Sequence, residues 1–242
     1  MTNFQFLQSY VELQRGIMFD EVLDLGFAIV CCNDNDPSSF WNNALVNTSL
    51  NAIQIESIEF KLQEHNRKPA VYFEDRSDLQ DLTDTLLSVG YTLEATDSMM
   101  FHPGLSVDSS RFSAVKKVAT EQDLDVFMQT FDSCYRNDDP LNPYGDLGEY
   151  VRAARATWHK HHTNNRIEYF VVYDGDRPVA VSALTNHKGI GYISNVGSLL
   201  SERGKGFGKL VTMYCIQRSK ENGNSTHCLA TEEGTNPNAF YK

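Results

Sequence analysis

The stretch VGSLLSERGKGFGKLVTMYC, residues 196–215, concentrates positive charge and bare backbone where a helix is expected to begin. Gly204, Gly206 and Gly208 lack the Cβ that would hold an anion away from the main chain. Arg203, Lys205 and Lys209 add charge beside them. A strand that enters a glycine-rich turn and then a helix presents unpaired amides and the positive end of the helix dipole, and that combination binds phosphate. A Walker loop is excluded, because Leu210 follows Lys209 where Ser or Thr is required. Gly204 and Gly206 begin a dinucleotide fingerprint, but Leu210 and Val211 stand past Gly208 and do not complete it. The pattern that fits is R-x-x-G-x-G, read at Arg203, Gly206 and Gly208.

The elements around this stretch follow from periodicity and turn signals. In the first half, helices are expected over about 4–13 and 53–64 and strands at 27–32 and 70–74, with Ser77 capping a helix that ends near Gly90. Residues 91–101, YTLEATDSMMF, read as one bent strand or two short ones. The segment HPGLSVDSSR has no apolar period and is the best boundary. After it come a strand at 112–119, a helix from the Thr120–Asp123 capping box to about Tyr135, and a helix over about 147–160. Three strands follow, joined by the hairpin turns DGDR and HKG, then the helix of the opening stretch, a strand HCLATE, and NPNAFYK.

The chain has 242 residues and a formal charge of -11. That charge argues against general nucleic-acid binding, which depends on cationic side chains neutralising phosphates. It is compatible with steering of a cationic or neutral substrate, and equally with solubility alone. No apolar run approaches a membrane span, and the N-terminus lacks the pattern of a signal peptide. The five cysteines have no metal or redox spacing and read as reduced thiols of a cytoplasmic protein. His159 and His162, in WHKHH, have no carboxylate or cysteine at ligand spacing, so no metal is expected.

The R-x-x-G-x-G motif after an antiparallel meander, with NPNAFY beyond the next strand, resembles the acyl-CoA-binding core of the Gcn5-related N-acetyltransferase (GNAT) superfamily. The resemblance covers residues from about 112 to the end. It implies a mixed α/β fold, a mostly antiparallel central sheet flanked by helices, complete in this chain up to the last short helix. It implies acetyl-CoA as cosubstrate and a primary amine of a small molecule or peptide as acceptor, attacked directly in a ternary complex, and it leaves room for a homodimer. By the same resemblance, the main chain of Val196, Gly197 and Ser198 pairs with the pantetheine arm, and Arg203, Gly204, Lys205, Gly206, Phe207, Gly208 and Lys209 hold the pyrophosphate. Thr231 and Asn236 stand where family members touch the acetyl end, and the strands YISNVGS and HCLATE are expected to splay around the thioester.

Acetyl transfer to an amine needs a base for the ammonium, a donor for the carbonyl oxygen and a proton for the leaving thiolate. Ser194 and Asn195 stand where the family often has Glu, so the motif strand holds no base. Glu232, Glu233, Asp138 and Asp139 are candidates for that role, although each also reads as a solvated loop carboxylate. Tyr241 is the nearest match to the family's acid, and Tyr135, Asp138, Asp139 and Tyr144 are candidates for the acceptor pocket, with Trp158 better explained by core packing.

Family members continue into one or two more strands, whereas this chain stops at NPNAFYK. The first half contains a strand, a helix and GYTLEATDSMMF that look like that closing portion, with no phosphate motif before them. The organisation expected is therefore a degenerate GNAT-like domain at 1–104, a linker at 105–111 and a CoA-binding catalytic domain at 112–242. A non-catalytic CoA sensor or interaction module built on the same two halves is the alternative.

Overall fold

The computed structural model describes residues 2–242. The chain divides into two compact units, Met1–Glu94 and Ala95–Lys242.

The first unit runs α1 (Asn3–Gln14), β1 (Glu21–Asp24), β2 (Ala28–Cys32), β3 (Asn43–Val46), α2 (Ala52–Glu64), β4 (Val71–Tyr72) and α3 (Gln80–Ser88). Strands β1, β2 and β3 form an antiparallel meander, and β4 lies parallel to β3 after the α2 crossover. Alternate residues of the strands, Ala28, Val30 and Cys32 with Ala44 and Val46, bury against Ile55, Ile58 and Leu62 of α2 and Leu82 and Leu86 of α3. Two strands, β1 and β3, escaped the sequence reading. The four residues of β3 are all buried, so they show no alternation to read. Ser77 lies inside a single 3-10 turn that leads into α3, and it does not cap the helix.

The second unit runs β5 (Asp97–Phe101), β6 (Val115–Lys117), α4 (Glu121–Cys134), α5 (Glu149–His161), β7 (Ile167–Asp174), β8 (Arg177–His187), β9 (Ile190–Ser198), α6 (Phe207–Glu221), β10 (Thr226–Glu232) and α7 (Asn236–Tyr241). Its six strands lie in the order β5-β10-β9-β8-β7-β6. All neighbours are antiparallel except β9 and β10, which are parallel on either side of the α6 crossover. One face of the sheet packs on Leu210, Val211, Cys215 and Ile216 of α6. The other face carries α4 and α5, with the Phe127 ring stacked 4.3 Å from Tyr169 and Trp158 fully inside. The Thr120–Asp123 capping box opens α4 as expected. Gly175 and Gly189 take positive φ in the two hairpin turns, and Lys188 joins Gly189 there, the geometry that two-residue hairpins require. Among the described residues no helix is long and apolar enough to cross a membrane.

The division of the chain differs from the expected one. It falls after Glu94, and β5 belongs to the second sheet. Asp97 to Phe101 pair antiparallel with Glu232 to Cys228, and Met100 packs beside Leu229 on the α6 core. Residues 97–101 therefore cover the β10 edge, which would otherwise be unpaired on that side. The loop HPGLSVDSSR is a real break in periodicity, but a loop inside a unit looks the same in sequence as a loop between units.

The two units also repeat a topology. Each has a helix, a three-stranded antiparallel meander, a crossover helix, a parallel fourth strand and a final helix. The strand–helix likeness between PAVYFE with its helix and HCLATE with NPNAFY corresponds to β4–α3 and β10–α7.

Candidate active site

Strand β9 carries a bulge. Its pairing with β8 shifts register between Val181 and Ala183, and Asn195 sits there in the left-handed region at φ 56. On its other side β9 pairs with β10 only at Ile190–Thr226, Gly191–His227 and Cys228–Tyr192, after which the strands part. Gly197 pairs with Val181, and the Leu199 N–H donates to the Val179 carbonyl at 3.0 Å. Main-chain groups alternate sides along a strand, so those of Val196 and Ser198 point away from β8 and into the gap.

Tyrosines surround this gap. The Tyr135 hydroxyl, at the end of α4, donates to the Val196 carbonyl at 3.1 Å. Tyr150 of α5 donates to Asn195 Oδ1 at 2.9 Å and holds the left-handed residue of the bulge. The Tyr144 ring lies 6.4 Å from that of Tyr135. From the α6 side, the Tyr241 hydroxyl lies 3.2 Å from Thr212 Oγ1, which donates to the Gly208 carbonyl at 2.9 Å. Burial pushes the Tyr135 and Tyr241 hydroxyls above the ordinary tyrosine range, so both are proton donors at neutral pH. Gly197 is required by packing: a Cβ there would lie 2.7 Å from Cys134 Cβ and 3.0 Å from the Tyr135 ring. An open cleft of about 590 Å³ runs along the α4 end, lined by Asp132, Tyr135, Arg136, Asp138 and Asp146 among others.

The glycine stretch forms the start of α6. Gly204 and Gly206 have φ of 79 and 81, and Gly206 caps the helix with no side-chain bond to its amides. The N–H groups of the first turn thus have no partner within the helix. The charges are distributed differently from the sequence expectation. Arg203 forms a two-pronged pair with Asp139, whose side chain is buried. Lys205 pairs at 2.8 Å with the buried Glu202, which also takes Arg177 at 2.6 Å. The hydrogen bond from Lys205 holds the Glu202 carboxyl below its ordinary range. Lys209 makes no ion pair among the described residues. Arg111 joins it: the guanidinium lies 5.3 Å from the centre of the Phe207 ring and 3.8 Å from where a Gly206 Cβ would be. Sequence reading missed Arg111 because it stands in the segment read as linker.

The remaining expected residues are placed as follows. Asp138 is exposed and bound to Arg136 at 2.9 Å, a bond that holds its carboxyl below the usual range. Asp139 is taken up by its pair with Arg203. Glu233 bonds Ser98 and lies 3.7 Å from Lys242, and the Ser98 bond lowers its carboxyl. Thr231 is buried and accepts from Asn238 Nδ2 at 3.1 Å. Asn236 starts α7 without that contact, so Asn238 is the asparagine that reaches β10. Glu232 ends β10 opposite Asp97. Trp158 stacks on His162 at 3.8 Å within the core. Among the described residues no group of three or more His, Cys, Asp or Glu side chains is placed to hold a metal.

A six-stranded sheet with parallel neighbours that part at a bulge, and a glycine-capped helix start beside them, define an acyltransferase scaffold of the kind the motif suggested. Residues 106–242, more than half of the chain, match the Acetyltransferase (GNAT) domain, and the chain belongs to that family. No curated protein matches it in sequence. Among solved structures, it is similar to a GCN5-related N-acetyltransferase from Kribbella flavida, with 18% identity and a TM-score of 0.65 over 96% of this chain and 86% of that one. It is also similar to a functionally unknown conserved protein from Staphylococcus epidermidis, with 14% identity and a TM-score of 0.62 over 93% of this chain and 88% of that one. A PaiA N-acetyltransferase from Thermoplasma acidophilum, solved in complex with coenzyme A, matches 52% of this chain and 86% of its own at 12% identity, with a TM-score of 0.41. The first two likenesses show a shared fold over both units.

Proposed function

We propose that the second unit binds acetyl-CoA and transfers the acetyl group to a primary amine of a small molecule or peptide. The observation that carries this reading is the open helix start at Gly206 beside a gap into which the main chain of Val196 and Ser198 points. A pantetheine arm adds to such an edge as a strand would, by main-chain hydrogen bonds. The Tyr135 hydroxyl already holds the Val196 carbonyl, which leaves the Val196 N–H and the Ser198 groups for the arm. The pyrophosphate would lie on the amides of Gly206, Phe207 and Gly208, with Lys209 and Arg111 supplying charge. Arg203 then serves through Asp139, fastening the loop after α4 to the cradle. Tyr241, whose hydroxyl lies 3.2 Å from Thr212 Oγ1 near the α6 start, would protonate the leaving thiolate.

The first unit is proposed as a copy of the same fold that has lost its cofactor. The crossover helix α2 begins at Asn51, whose side chain accepts the Gln54 N–H at 3.0 Å while Gln54 bonds back to the Asn51 N–H at 2.9 Å. Two amides of this helix start, those of Asn51 and Gln54, are thus taken by the chain's own side chains.

Coenzyme A at a hundredfold excess over its dissociation constant is expected to stabilise the protein by about 2.7 kcal/mol, read as a rise in melting temperature. No rise with millimolar CoA would reject the cofactor. Arg111→Ala is expected to weaken CoA binding about fivefold, near 1 kcal/mol, with the melting temperature of the free protein unchanged. Calorimetric titration of both proteins checks it, and equal affinities would leave Arg111 as a packing residue of Phe207. Thiol release from acetyl-CoA across a panel of amines tests catalysis. CoA binding without release by any amine would favour a non-catalytic acyl-CoA sensor, a reading supported by Ser194 and Asn195 standing where the family often has Glu.

A further inference from the structure

The reaction proposed above requires a group that takes a proton from the acceptor ammonium. Three of the four carboxylates suggested by sequence are already engaged: Glu233 with Ser98 and Lys242, Asp139 with Arg203, and Asp138 with Arg136. Resting on that reading, we propose that Asp97, carried on the added strand β5, is the general base, with Glu232 as the carboxylate that positions it.

The placement follows from strand alternation. Leu229 of β10 and Met100 of β5 pack together on the α6 core. Side chains one residue along each strand point to the opposite face, so Ala230 and Glu232 of β10, with Met99 and Asp97 of β5, face α4 and α5. Tyr135 and Tyr150 reach the β9 bulge from that same side. The last β9–β10 pair is Tyr192 with Cys228. Counting onward along both strands, and allowing the bulge its one extra residue, brings Glu232 level with Val196 and Gly197 across the gap. Asp97 is the direct cross-strand partner of Glu232. Tyr144, from the loop after α4, has its hydroxyl near the Glu232 main chain and Thr235, and its ring lies beside that of Tyr135. The Val196 carbonyl, three tyrosines and two carboxylates thus converge where an acyl group entering the gap would end.

Burial, and then the charge of Glu232, raise the Asp97 carboxyl above its ordinary range, which makes it a better acceptor of a proton near neutral pH. The other ionisable groups at this place are Tyr135, Tyr144 and Tyr150; Glu233, one residue beyond Glu232, is bound to Ser98 and Lys242. In the step proposed, the acceptor ammonium gives one proton to the Asp97 carboxylate. The freed nitrogen lone pair forms the N–C bond with the thioester carbonyl. Collapse of the tetrahedral adduct breaks the C–S bond, the sulfur leaves with the electron pair and is protonated by Tyr241, and the second nitrogen proton returns the tyrosinate to its neutral form. Asp97 precedes residues 106–242, which explains how a chain with no carboxylate on β9 can still hold a base.

The test uses the full chain and acetyl-CoA with the amine panel. Asp97→Asn is expected to lower kcat about a hundredfold and to abolish the acid limb of the pH profile, with the KM for acetyl-CoA within twofold and the melting temperature unchanged. Asp97→Glu should recover part of the rate. Glu232→Gln should lower kcat less than Asp97→Asn does and move the acid limb to lower pH, because loss of the neighbouring negative charge lets the Asp97 proton leave more readily. If the protein binds acetyl-CoA but acetylates no amine in the panel, carboxyl-carbon NMR gives the readout. The resonance absent from Asp97→Asn should then titrate above the other aspartates and shift its midpoint upward when acetyl-CoA is added. Wild-type kcat and acid limb in Asp97→Asn, or an Asp97 midpoint unmoved by bound acetyl-CoA, would overturn the assignment. Failure to bind acetyl-CoA at all overturns the function reading, and this assignment with it.

Discussion

Residues 95–242 produced alone are expected to unfold cooperatively and to bind coenzyme A, whereas residues 106–242 are expected to be molten or aggregated and to bind none. The two fragments differ by β5 and the loop after it. Without β5 the β10 edge is unpaired over the five residues from Cys228 to Glu232. Leu229 and Thr231 also lose Met100, which closes the end of the α6 core. Full burial of a methionine contributes roughly 1.5–3 kcal/mol, of which the partly buried Met100 supplies a share, and each main-chain bond of the ladder about 1 kcal/mol net. The loss of several such bonds with the methionine approaches the roughly 5–15 kcal/mol that stabilises an entire domain. The bare strand is in addition a template for pairing with another chain. Circular dichroism melts and a CoA thermal shift on both fragments check this, and a synthetic 95–105 peptide should partly restore the shorter one. If 106–242 melts cooperatively at the temperature of 95–242, then β5 is dispensable and the family-matched segment is self-sufficient.

Gly206→Asp is expected to weaken CoA binding by at least tenfold, about 1.4 kcal/mol, while leaving the protein folded. Gly206 caps α6 at φ 81, and a Cβ there would meet only the Arg111 guanidinium, at 3.8 Å. An aspartate there places a carboxylate where the pyrophosphate is proposed to lie, repelling it and competing for the same amides. The left-handed backbone opposes the substitution by about 1–2 kcal/mol, but aspartate is among the residues that tolerate it, and a carboxylate at a helix N-terminus contributes about 0.3–1 kcal/mol in return. The same substitution moves the second unit toward the first, where Asn51 closes the start of α2. Calorimetric titration with CoA, alongside a melt of the free protein, separates lost binding from lost folding. Unchanged affinity would mean that the glycine loop is only a tight connection.

The cradle was legible in the sequence because it is local. Phosphate recognition at a helix start needs glycines and cations within one turn of each other, and residues 203–209 hold them contiguously. The antiparallel meander was legible for the same reason: its two turns are short, and β7, β8 and β9 are long enough to read. Even within this region, residue types did not reveal their partners. Arg203 and Lys205 read as phosphate ligands, yet their charges are bound by Asp139 and Glu202, and the Asp139 partner comes from the distant loop after α4. Arg111 reads as linker, yet the fold lays it on Phe207. Strand β5 reads as the end of the first half, since its chain neighbours belong there, and its place was decided by its pairing with the distant strand β10. The sequence by itself determined the elements and the glycine-capped helix start, because those depend on residues a few positions apart. Only the tertiary structure decided which edge β5 covers, which carboxylates are already paired, and that Asp97 stands opposite Glu232, because each rests on a contact between segments far apart in the chain whose bonding groups are the same main-chain atoms everywhere.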